Sequence, residues 1–128
     1  MKYLALLLCA VLPAFGVSPE QFKEMKFEKI VTRETAPDGS PSVVIGVSGE
    51  LEGENRVAIG LVHAASGKPE LRAIFYLNEE NDPVVSLPSG DGEWGHQVID
   101  GQRSDMIKGD LWDLREEVFG LRYRPTAI

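Results

Sequence analysis

Carboxylates crowd the C-terminal third of the chain. Asp91, Glu93, Asp100, Asp105, Asp110 and Asp113 fall within a short stretch that also holds Trp94. Calcium takes six to eight oxygen ligands, so it is the metal such a set would suit, with Asp91, Glu93 and Asp100 as its nearest candidates. The spacing does not match an EF-hand loop, whose ligands alternate around a glycine at the sixth position. A solvated acidic surface is the preferred account of these residues. Trp94 stands between Glu93 and Gly95 in the glycine-rich stretch 88–95. There it can stack on a sugar ring or anchor a protein, with Asp91 and Glu93 accepting hydrogen bonds beside it. The competing account is a tryptophan folded back to plug the open end of the core, and that account is the stronger.

Other chemistries lack their parts. The chain has two histidines, His63 and His96. A metal-assisted hydrolase would need both, together with Glu93 or Asp100, to converge from distant strands, and no ligand spacing supports that. Cys9 is the sole cysteine. The serines sit in no nucleophile-elbow motif, and no phosphate-binding glycine loop precedes a helix.

The elements that would position these residues are mostly strands. The stretch 42–64 carries two alternating runs around a polar loop. With 53–55 as a three-residue loop, Leu51 faces Val57, and Val43, Ile45, Val47 and Leu51 share one apolar face with Val57, Ile59 and Leu61. The opposite face is then small: Gly46, Ser48, Ala58 and Gly60. Glycine inside a strand marks the close approach of another element, so a helix or the N-terminal segment is expected to pack there. Two further three-residue loops, 66–68 and 80–82, set Ile59 opposite Phe75, Leu61 opposite Ala73 and Val85 opposite Leu77. The outcome is a four-stranded antiparallel meander, with Pro83 at its edge.

Around it, Ser18, Pro19 and Gln21 spell the start of a short helix, and 26–33 alternates as a strand. Residues 35–41 form a turn-rich loop. Residues 96–100 and 106–108 are weak strand candidates. Asp110 caps a short helix over 111–119 that Gly120 ends, and 120–124 reads as a last strand.

The first residues follow another logic. Lys2, the apolar run 3–12 and the small residues Ala14 and Gly16 form the pattern of a secretory signal peptide, expected to be cut after Gly16. The run is too short to span a bilayer. Removal leaves residues 17–128 as a single domain without cysteine, so the core must hold the fold with no disulfide. The formal charge of −7 over 128 residues disfavours nucleic acid and anionic lipid as partners, because both need a basic patch.

The expected fold is mainly β: an antiparallel sandwich, immunoglobulin-like in architecture alone, built on the meander with one short C-terminal helix. An α+β sheet covered by its helices is the alternative. The expected function is that of a small exported non-catalytic domain, periplasmic or extracellular, with no required cofactor. It would bind a protein or a glycan or serve a structural role in the envelope; the metal-assisted hydrolase is the alternative.

Overall fold

The computed structural model describes residues 16–65, 68–90 and 92–120, and its first helix begins where the sequence demands. The Ser18 hydroxyl accepts from the Gln21 amide, and the Gln21 side chain accepts from the Ser18 amide, closing a capping box. Helix α1 (Pro19–Glu24) ends at Met25, whose extended backbone leads into the sheet. Six strands follow: β1 (Lys26–Thr35), β2 (Pro41–Leu51), β3 (Glu54–Ala65), β4 (Lys68–Leu77), β5 (Pro83–Pro88) and β6 (Trp94–Val98). They lie in one antiparallel sheet in sequence order, so each strand pairs with the next. Helix α2 (Gln102–Phe119) closes the described chain, and Gly120 ends it in the left-handed conformation. No helix among the described residues is long and apolar enough to cross a membrane.

The mainly β architecture with its C-terminal helix is as expected, but the second layer is not a second sheet. The six strands form one sheet with a helix packed on each face. On one face, Val17, Phe22 and Met25 bury Val47, Ala58, Ile74, Tyr76 and Val84. On the other, Leu111 and Leu114 of α2 bury Val57 and Ile59, with Phe75, Leu77 and Ile107 around them.

This two-sided burial explains why the expected register of the central hairpin fails. The turn holds two residues, Glu52 and Gly53, both at positive φ (53° and 81°), as type I′ hairpin turns require. Ser48 therefore faces Val57, and Val47 faces Ala58. The odd shift moves Val57, Ile59 and Leu61 to the α2 side and leaves Val43, Ile45 and Val47 on the α1 side. A one-sided apolar face would have selected the register; a strand buried on both faces does not.

The next pairing is as expected, with Ile59 opposite Phe75 and Leu61 opposite Ala73. The β4–β5 loop runs over Asn78–Asp82, which places Phe75 opposite Val85 and Leu77 opposite Pro83. The Asn78 side-chain oxygen ties it by accepting from the amides of Glu80 and Asp82, each at 2.9 Å. Pro83 begins an inner strand, since β6 pairs beyond it. Residues 106–108, expected as a strand, belong to α2, which starts nine residues before the expected 111. Of the strand expected at 120–124, Gly120 is instead the left-handed end of α2, and the rest lies outside the described residues, as does nearly all of the signal-peptide stretch.

The small strand residues do what their size suggests, on both faces. Phe22 lies against Gly60, where an added Cβ would stand 2.3 Å from its Cζ. Leu114 lies against Gly46, where an added Cβ would stand 2.8 Å from Cδ2. Each glycine lets one helix touch the backbone of the sheet.

Candidate functional site

The residues singled out for ligand or metal binding sit at the β5–β6 end of the sheet. The loop between these strands is short: the Glu93 carbonyl accepts from the Ser89 amide and hydroxyl at 2.9 and 2.6 Å. Trp94 is thus the first residue of β6, opposite Pro88, and not a loop tip. It is half-buried and packs against the core on the α1 side. Glu93 and Asp100 are exposed, and Asp91 lies outside the described residues. Among the described residues, no three His, Cys, Asp or Glu side chains come together as a metal site would require. Trp94→Ala is expected to lower stability by about 2 kcal/mol, below the roughly 3–5 kcal/mol of a fully buried tryptophan. Urea titration followed by the remaining Trp112 emission measures it.

The two histidines occupy opposite faces. His63 shares the α2 face with Ile59 and Leu61, whereas His96 pairs with Ser86 on the α1 face. They form no common site. The Tyr76 hydroxyl and His96 Nδ1 share a hydrogen bond of 2.6 Å, and the rings meet edge to face. Partial burial holds the His96 imidazole below its ordinary pKa and pushes the Tyr76 hydroxyl up. With the folded-state pKa lowered, the unfolded chain binds the proton more readily. This contribution to stability is therefore full above about pH 6.5, the unfolded value, and declines as pH falls toward the folded pKa. Chemical denaturation at pH 7.5 and pH 5 should show that decline, and His96→Gln should flatten it.

Sequence reasoning missed a polar cluster around His63. The β1–β2 turn brings Asp38 and Ser40 to the end of β3. A bulge in β4, where Leu61 faces Ala73 but Val62 faces Leu71, inserts Arg72. Ser40 Oγ bonds both His63 Nε2 and Asp38 Oδ1. Arg72 Nη1 stands 3.5 Å from His63 Nδ1. Arginine only donates, so Nδ1 accepts and the Nε2–H donates to Ser40, whose hydroxyl passes its proton toward Asp38. That polarity is opposite to a nucleophile activated by a histidine base, which must accept the serine proton. The Ser40 amide donates to Asp38 at 2.9 Å, and the Gly39 amide donates to the Ala36 carbonyl at 2.8 Å. Neither amide is left to stabilise an oxyanion. The Ser40 hydroxyl, then its amide, hold the Asp38 carboxyl below its ordinary pKa. This arrangement does not present Ser40 as a nucleophile for acyl transfer.

The α1 face carries a second feature. Six residues of α1 are too few to cover six strands, and beside Phe22 an apolar groove runs over Phe27, Ile45, Val47, Val62 and Leu71. Phe27 and Ile30, on the edge strand β1, are 55% and 41% exposed. Extra residues at Glu28 and Val31 bulge this strand and keep its outer edge irregular.

No protein-family model, curated protein or solved structure matches this chain.

Proposed function

We propose that the chain is a small exported, non-catalytic domain that binds another protein through the groove between α1 and β1. The observation that carries this reading is the pair of exposed side chains, Phe27, which lines an apolar groove that the described residues leave open, and Ile30, which lies opposite Ile45 of that groove. Isolated surface apolar residues are ordinary; a rim continuous with half-buried Ile45, Val62 and Leu71 is a contiguous patch of the kind partners cover. The groove lining includes a single charged residue, Lys23, in a chain of net charge −7. It therefore suits a segment with apolar side chains flanked by carboxylates better than a second copy of this acidic chain. The reversed proton polarity at His63 supports the non-catalytic part of the reading. Export rests on the leader pattern of Lys2, the apolar run 3–12 and the small residues Ala14 and Gly16.

The test places a photo-crosslinking residue at Phe27 in the exported protein and then measures binding of the captured partner to purified domain. Phe27→Asp and Ile30→Asp should each weaken that binding about 30-fold, the scale of an interface anchor, without lowering the folding midpoint. Unchanged affinity in both variants overturns the groove as the interface. Mass spectrometry of the exported product should find Val17 at its N-terminus; retention of Met1 overturns export by this leader.

A further inference from the structure

The cleft around His63 lies on the other face of the sheet and is independent of the groove. Its volume, about 470 Å³, falls in the range of small-molecule sites. Leu61, Ala36 and Pro37 supply apolar lining, and Arg72, Asp38 and Glu34 supply charge.

We infer that this cleft binds a small zwitterion, its carboxylate on Arg72 and its ammonium group on Asp38, with its apolar body against Leu61 and Pro37. The hydrogen-bond chain from Arg72 through His63 and Ser40 to Asp38 engages both imidazole nitrogens and the hydroxyl internally. What remains for a ligand is at the two ends. Arg72 directs one N–H to His63 and stands 3.8 Å from Glu70, so its five-donor fork retains N–H groups for a carboxylate. Asp38 takes both Ser40 hydrogen bonds on Oδ1. Both end groups reach solvent, with side-chain exposures of 49% for Arg72 and 65% for Asp38, whereas His63 at 14% forms the wall between them.

The charges are opposite and set apart by one imidazole and contacts of 3.5 and 3.9 Å. Two charge-assisted hydrogen bonds of about 2.8 Å each and a ligand with adjacent carboxylate and ammonium groups bridge such a gap. Glu34 adds a second carboxylate to the lining, which favours a cationic group there over a second anion. A ligand with only one of the two charges makes only one of the two charge-assisted contacts and is held more weakly.

The experiment is an NMR titration of the purified domain with L-leucine, leucinamide, 4-methylpentanoate and glucuronate. Leucine should shift the His63 ring and Arg72 side-chain signals saturably. Leucinamide, lacking the carboxylate, and 4-methylpentanoate, lacking the ammonium group, should each bind at least ten-fold more weakly. Glucuronate tests whether hydroxyls replace the ammonium group, and it too should bind at least ten-fold more weakly. Arg72→Gln, with an otherwise unchanged spectrum, should lose leucine binding at least ten-fold. The inference is overturned by no saturable shift with leucine, by equal affinity for any of the other three probes, or by an Arg72→Gln variant that binds leucine unchanged. Phe27→Asp should leave leucine binding intact, so failure here is distinct from failure of the protein-binding reading.

Discussion

Gly60→Ala is expected to detach α1 from the sheet and destabilise the domain by about 3 kcal/mol, the upper part of the usual overpacking range. The new Cβ would lie 2.3 Å from Phe22 Cζ and 2.9 Å from both Cε atoms. A ring met on its edge by three such contacts cannot relieve them by rotating about its own axis. It must retreat, and α1 must retreat with it. That helix has six residues and no independent stability; what holds it is the burial of Val17, Phe22 and Met25. The loss should appear as a lower urea midpoint at unchanged slope. Phe22→Leu in the same background should restore part of it, since a shorter side chain accommodates the methyl group. An additive double mutant would mean that Gly60 and Phe22 are not in contact.

That contact was half legible in the sequence. Gly46, Ser48, Ala58 and Gly60 announce close approach, and the N-terminal segment is among the elements expected to make it. What the residues do not say is that the glycines serve opposite faces: Gly60 receives Phe22, and Gly46 receives Leu114. The cause is the central turn. Gly53-Glu54-Asn55 and Glu52-Gly53 are both chemically acceptable hairpin loops, and they differ by an odd register shift. Only the presence of a helix on each side decides between them. The capping box of α1 and the Gly120 stop of α2 were legible because each is local chemistry. The His63 cluster was not, because Asp38, Ser40 and Arg72 reach it through a turn and a β-bulge, which leave no periodic trace.

The C-terminal region shows the converse error. Ile107, Leu111, Leu114 and Val118 recur at helical spacing, yet Gly109 interrupts the run with a residue that weakens helices. Both signals are real, and packing decides between them. Helix α2 is poorly supported by its own sequence. Its N-cap is Gly101, with no side-chain hydrogen bond; Gly109 costs about 1 kcal/mol relative to alanine; and its last turn holds no basic residue.

Its helicity is therefore expected to depend on Leu114, and this gives the second large effect. Leu114→Ala should cost about 4 kcal/mol, within the range for a fully buried leucine. Leu114 is 2% exposed, and its methyl groups sit on the Gly46 backbone, where the sheet leaves no side chain to collapse into the void. The Lys29–Glu117 ion pair at 2.8 Å lies on the exposed side of the helix. It cannot substitute, since exposed pairs contribute little. Circular dichroism at 222 nm should report loss of α2 signal at denaturant concentrations that leave the wild-type helix formed. Gly46→Ala alone should also destabilise, by forcing Leu114 outward, but in the Leu114→Ala background the same methyl group enters the vacated space. The pair should therefore couple, the double variant being more stable than the sum of the single losses predicts. A peptide of residues 101–120 should be largely unfolded in water; substantial helicity there would mean that α2 is held by its own propensity and not by the sheet.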